Sequence, residues 1–249
     1  QSTPLFDTPL RTDADRLTTA ATADDFAWRR LAELTDTFGA RLSGSQNLSR
    51  AIQWAVQTMK ADGLENVHTE PVMVPRWVPG REQAEIIDPP HHDLAILGLG
   101  GTVSTPAGGL EADLLVVSSF EDLRSRASDA RGKIVLFDVA YGGYAETVTY
   151  RNGGARAAAQ QGAVAVLVRS IGPVGLRTAH TGSVNYVPEV TAIPAAAIAV
   201  EDANRLVRLA RSGRRVRLRL LLEGRREADV ESANVVGEII GREKPNEIV

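Results

Sequence analysis

The chain has 249 residues, 43% of them hydrophobic and 24% charged, enough apolar side chain for a substantial core in one large or two modest domains. Its 28 basic and 31 acidic residues are interspersed and leave a formal net charge of -3, which excludes the long-range field of a nucleic-acid or anionic-membrane binder. Cysteine is absent, which excludes disulfides, thiolate nucleophiles and sulfur-ligated metals, and no apolar run approaches the roughly 20 residues of a membrane helix.

Residues 1 to about 22 are polar and rich in Thr, Asp and Ala, with Pro4 and Pro9, and read as an extended or loosely attached arm. Gln1 has no basic segment leading into an apolar one after it and reads as a mature end left by signal removal. From Asp24 the pattern becomes helical. Ala27, Leu31, Leu34 and Phe38 share one face, with Thr22 as the expected cap and Gly39 as the stop. Leu48, Ala51, Ile52, Ala55 and Met59 mark a second helix, capped by Ser45 or Asn47 and ended by Gly63.

After Gly63 the period falls to two, and Val67 to Val74 reads as a strand broken by Pro75, Pro79 and Gly80, with a domain boundary near Trp77. Short apolar runs at 84–87, 94–99 and 114–117, separated by Gly and Pro, predict turn-rich β structure. A βαβ unit follows: strand Lys133–Phe137, an Ala-rich helix from Arg156 to Gln161, and strand Ala163–Val168. The unbroken apolar runs imply strands covered on both faces. A strand near Ile193–Ile198, a helix from Glu201 to Ser212 and a strand with one wet face at Val216, Leu218 and Leu220 complete this region. The last residues predict a hairpin, one strand at Asn234–Gly241 and a second beginning at Glu247-Ile248-Val249.

Catalytic signals are sparse. The turn Leu42-Ser43-Gly44-Ser45 lies between two helices, which does not make a nucleophile elbow, and the better role for Ser45 is helix capping. Gly98-Leu99-Gly100-Gly101 is not followed by the helix N-terminus that a phosphate loop needs, and reads as a β-turn. Of the four histidines, His91 and His92 are adjacent and would point in opposite directions from an extended segment. His68 shares a strand face with Glu70, but two ligands do not close a metal site. His180 lies in a long polar loop after a buried strand, the setting in which ligand contacts concentrate.

Taken in order, Arg41-Leu42-Ser43-Gly44-Ser45, Asp62 to His68, Leu97 to Gly101, Ala127 to Val135, Thr147 to Arg151, His180-Thr181-Gly182, Val200 to Ala203 and Asn234 to Ile239 resemble the co-catalytic zinc aminopeptidases and carboxypeptidases. The resemblance covers about residues 24 to 249. It implies an α/β fold: the N-terminal part of a zinc exopeptidase with an inserted β-rich α/β protease-associated domain. The implied boundaries are 1–23 for the arm, 24–76 for the first part of the peptidase domain, 77–231 for the insert and 232–249 for the start of the remaining peptidase domain.

The resemblance further implies two zinc ions whose ligands, with the catalytic Glu, lie beyond Val249, so that no catalytic or metal residue is assigned within the chain. His180 is the substrate-facing candidate. The implied partners are the remaining catalytic half of the protein, a small peptide or dipeptide substrate and a second copy in a homodimer, with no nucleic acid and no membrane, in a secreted or periplasmic, bacterial setting. The competing reading is a protease-associated binding module without hydrolysis; an unfinished sheet edge at the C-terminus argues against it.

Overall fold

The computed structural model describes residues 8–88, 90–172 and 174–248. Residues 1–7 and Val249, on which parts of the arm and the last strand were expected, lie outside them. The chain divides into two compact units, one formed by the segments up to Pro75 and from Asp229 on, the other by Arg76–Ala228. No described helix is long and apolar enough to cross a membrane.

In the first unit the segment expected as an extended arm is instead a helix, α1 (Thr8–Ala23). Its threonines do not break it, because Thr19 and Thr22 donate their hydroxyls back to the carbonyls of Asp15 and Thr18, one turn earlier. That use of Thr22 removes it as a cap, and α2 (Phe26–Phe38) starts instead after Asp25, with Asp24 accepting from the Phe26 amide. Gly39 ends α2 at a positive φ. α3 (Gln46–Ala61) is capped by Ser45, whose hydroxyl accepts from the Leu48 amide.

α2 and α3 meet through Phe38 and Trp54, with ring centroids 5.9 Å apart. Arg30 lies over Phe26 and reaches Asp62 at 2.7 Å. β1 (Glu65–Val78) and β10 (Arg225–Glu238) pair as a two-stranded sheet. β1 runs on through Pro75, where a break was expected; a strand with a partner on one side only has an edge where a missing N–H is tolerated. Among the described residues no second strand follows β10; the one expected at Glu247-Ile248-Val249 ends outside them. β10 takes β1 as its partner, and Ile239 to Ile248 contains a turn in which the Glu247 amide donates to Lys244 O.

The second unit is built on an eight-stranded sheet: β2 (Glu82–Ile86), β3 (His92–Leu94), β4 (Ile96–Gly98), β5 (Leu110–Val117), β6 (Ile134–Phe137), β7 (Ala165–Arg169), β8 (Ala195–Ile198) and β9 (Arg217–Leu222), in spatial order β3-β2-β9-β5-β6-β7-β8-β4. β5 to β8 are parallel; the flanking strands are antiparallel.

Alternation along the parallel strands feeds two cores. Ile134, Leu136, Leu167 and Ile198 face Leu206 and Val207 of α7 (Val200–Arg211), while Val135, Phe137, Val166 and Val168 face Leu123 of α4 (Phe120–Ser125) and Ala155 and Ala158 of α6 (Tyr144–Gln160). A short α5 (Ala127–Ala130) leads into β6. α6 begins twelve residues before the expected helix start. Gly153 and Gly154 lie inside it and masked its pattern; a Cβ at Gly154 would stand 3.0 Å from the Phe137 ring, so the glycine admits the close approach.

At the opposite end of the sheet Asp113 of β5 accepts from Lys133 at 2.7 Å and Arg215 at 2.9 Å, tying the entries of β6 and β9 together. The hydrogen bonds from Arg215 and Lys133 hold its carboxyl below the usual carboxylate range. A depressed folded value contributes stability that is present above the unfolded value, about 3.9, and is lost as pH falls through the folded one. Urea midpoints measured from about pH 6 to pH 2.5 are therefore expected to fall less steeply with acid in Asp113→Asn than in the parent; equal slopes would remove Asp113 from the acid response.

Candidate functional site

The site grows from the carboxyl ends of the parallel strands, where open α/β sheets place their ligands. Ser170, just after β7, donates its hydroxyl to Ile198 O at 2.7 Å and accepts the His180 amide at 2.8 Å. His180 Nδ1 lies 2.6 Å from Ile171 O. A carbonyl only accepts, so Nδ1 carries a proton and Nε2 is the ring nitrogen left to meet a ligand. The ring itself is exposed. The following residues are pinned to the strand edge: Thr181 Oγ1 donates to Gly98 O at 2.8 Å, Gly100 N to Gly182 O at 2.7 Å, and Val184 N to Gly100 O.

This loop closes over Arg151, which sequence reading did not select. Arg151 is 7% exposed, projecting from the buried stripe Thr147–Arg151–Gly154–Ala155–Ala158 of α6. Its Nη1 donates to Thr181 O at 3.3 Å and its Nη2 to the Tyr144 hydroxyl at 3.0 Å, with the guanidinium carbon 5.6 Å from the Tyr144 ring centroid. Nε has no partner among the described residues, and no carboxylate of the described residues pairs with the group. Gly182 leaves room for the group, since a Cβ there would sit 2.4 Å from the guanidinium carbon and displace it. Tyr144 and His180 flank the group with ring centroids 6.4 Å apart, and the Tyr144 side chain is half-exposed. A cation, an imidazole and a phenol thus share one corner of the sheet, with no anion among them.

The contrast with Asp202 shows that this unit does compensate buried charge elsewhere. Asp202, 3% exposed in the first turn of α7, accepts from Ala95 N at 2.7 Å, from Arg177 Nε at 3.1 and 3.0 Å through its two oxygens, and faces His92 Nε2 at 3.4 Å. Arg177 also donates to Asp93 O. The clamp holds Leu176 and Arg177 at φ 63° and 45°, two consecutive non-glycine residues in the left-handed region that cost of order 1 kcal/mol or more each.

The remaining histidines divide as follows. His68 Nε2 stands 3.7 Å from Glu70, as their shared strand face predicts. His91 and His92 point apart, as expected of neighbours on an extended segment. His92 belongs to β3 and faces Asp202, and His91 joins Glu85 and Asp93 in the single group of three or more potential metal ligands among the described residues.

Asp202→Ala strands the Ala95 amide and the Arg177 charge and is expected to destabilise the chain by roughly 2–4 kcal/mol. Arg151→Met gives up two hydrogen bonds but removes an uncompensated buried charge, and is expected to change stability by less than about 1 kcal/mol. Urea denaturation of both variants checks this; a loss at Arg151 as large as that at Asp202 would make Arg151 a structural cation.

Comparison with known proteins finds the following likenesses. Residues 101–206 match the PA domain. The chain is 46% identical over 223 residues to carboxypeptidase Q of Mus musculus, covering 90% of this chain and 47% of that protein, and 45% identical over 227 residues to carboxypeptidase Q of Homo sapiens, covering 91% and 48%. It spans about half the length of these curated relatives. The solved structure of a peptidase M28 precursor from Shewanella amazonensis superposes with a TM-score of 0.87 at 35% identity, over 94% of this chain and 54% of that one. A zinc aminopeptidase from Bacillus subtilis shares the fold, with a TM-score of 0.60 at 21% identity over 87% of this chain and 47% of that one.

Proposed function

Proceeding from a chain that carries a PA domain and is homologous to carboxypeptidase Q over about half of that protein's length, we propose that it is the PA-bearing portion of a zinc-dependent exopeptidase acting on small peptides. Within that enzyme, the Tyr144–Arg151–His180 corner receives the free carboxylate of the peptide. The observation that carries the assignment is the Arg151 guanidinium, nine-tenths buried with an orphaned Nε and without a carboxylate among the described residues.

A buried charge left uncompensated is costly, and a ligand carboxylate supplies what the fold withholds. Tyr144 fixes the guanidinium from one side, and the Thr181–Gly182 backbone fixes it from the other, so the group is held ready before ligand arrives. His180, its Nδ1–H committed to Ile171 O, offers Nε2 to a second polar group of the same ligand.

Among the described residues no ligand set fits a co-catalytic zinc pair. The one ligand group of three among the described residues lies on the β2–β3 edge, with His91 and Asp93 exposed, and no carboxylate there stands between two further ligand sets as a pair of ions requires. The reading therefore assigns the metal chemistry to the portion of the relatives' length that this chain does not span. Burial in the first unit supports a missing complement: Phe26, Trp28, Leu31, Met73 and Ile239 are exposed, Trp28 to 72%, while Phe38 and Ala51 are the hydrophobic residues buried there among the described residues.

In the whole enzyme, Arg151→Ala is expected to lower kcat/KM for a peptide with a free C-terminal carboxylate by about 10- to 100-fold, the value of a charge-assisted hydrogen bond. The C-terminally amidated peptide is expected to be cleaved poorly and to be nearly insensitive to the substitution. An equal fall for both peptides, or no fall for either, would remove the carboxylate role.

A further inference from the structure

We propose that Glu85, His91 and Asp93 form a site for one divalent transition-metal ion of the zinc type, which ties the edge strand β3 to β2. The register makes the convergence unavoidable. Glu85 and Asp93 are directly opposed across the antiparallel pair β2–β3, so their side chains share a face, and His91, just before β3, brings its Nε2 to both. Two carboxylates placed directly opposite each other repel unless a cation lies between them.

The cations on hand are unequal to both acids. Arg219, opposite Glu85 on β9, stands 3.7 Å from Glu85 Oε1, which leaves Oε2 turned to the imidazole. His91 Nε2 lies 2.6 Å from Glu85 Oε2 and 3.8 Å from Asp93 Oδ1, and the three ligand atoms fall within 4.8 Å of one another. An ion held at about 2.0–2.2 Å from each ligand atom needs only small rotations of these side chains.

The donor set also selects the ion. One imidazole with two carboxylates suits zinc and its first-row neighbours better than calcium or magnesium, which take oxygen alone. The two acids neutralise a divalent charge, and Arg219 orients Glu85 from behind, as outer-shell partners of metal ligands do. A depression of about 370 Å³, lined by Glu85, Asp93 and Arg219 among others, lies beside the group and admits the water that an incomplete protein ligand set leaves to be bound.

The site has a structural consequence. β3 has three residues and lies at the edge of the sheet. On its other face His92 approaches Asp202, and the Asp93 carbonyl accepts from Arg177, so an ion that fixes β3 also fixes the clamp that holds Leu176 and Arg177 in the left-handed region.

The test titrates the 249-residue chain, freed of metal by chelator and carrying no affinity tag, with zinc chloride in a calorimeter. Cobalt(II) absorption serves as a second readout of ligand field. One ion per chain is expected. His91→Ala and Asp93→Asn, both at exposed positions, should weaken binding at least ~10-fold, while His68→Ala should leave it unchanged. Hydrogen exchange of the β3 amides should slow on adding zinc to the parent chain and not to His91→Ala. Absence of saturable binding, equal affinity in parent and His91→Ala, or loss of binding in His68→Ala would each overturn the site.

Discussion

Burial of β6 to β8 on both faces is the constraint on which the rest of the second unit depends. Strands covered on both sides demand helices that come close, and α6 meets the demand with Gly154, Ala155 and Ala158 against Phe137 and its neighbours. A helix held this tightly carries every residue of its inner stripe into the interior, including Arg151. The same packing that makes the core thus places a guanidinium at the carboxyl edge of the sheet, where the chain must close over it with a loop. Gly182 suits that closure, because a Cβ there would displace the guanidinium.

The unit handles charge in two distinct ways. Asp202 accepts from the loop before β4 and from Arg177, with His92 beside it, and the arrangement is strong enough to hold two left-handed residues. Arg151 is surrounded by a carbonyl and a phenol, both neutral, and retains an orphaned N–H. The first pattern is that of a structural ion cluster; the second is that of a binding group whose counter-charge arrives from outside.

The parallel strands were legible in the sequence because double burial writes itself as unbroken apolar runs, as at Ile134–Phe137 and Ala163–Val168. The pair α2 and α3 were legible from helical spacing with Ser45 and Gly39 at the right ends. α6 was cut short in the reading because Gly153 and Gly154 look like breakers, although Gly154 is there to admit Phe137. α1 was missed because threonine content reads as irregular, while the hydroxyls bond back along the helix. β1 outran its expected end because prolines at an edge do no harm. The pairing of β10 with β1 was not legible, because a partner 172 residues away, in the contact of Asn66 with Glu238, leaves no trace in local pattern.

His180 could be singled out as a polar residue in a loop after a buried strand, and the structure places it beside the guanidinium. Arg151 carried a signal that went unused: it occupies the apolar stripe of an Ala-rich helix at steps of four and three from Thr147 and Gly154, where a charged side chain is out of place unless it has a task. The Glu85–His91–Asp93 group was hidden for another reason. Its members meet across a hairpin register, and only the pairing of Glu85 with Asp93 brings them together.

The central claim is that Arg151 is held without a protein counter-charge so that a ligand carboxylate can supply one. A crystal structure of the whole enzyme bound to a peptide or its carboxylate product tests this directly. The account predicts the ligand carboxylate within about 3 Å of the Arg151 guanidinium, with Tyr144 and Thr181 still in contact with it. A carboxylate bound elsewhere, with Arg151 paired to an Asp or Glu of the protein, would contradict it.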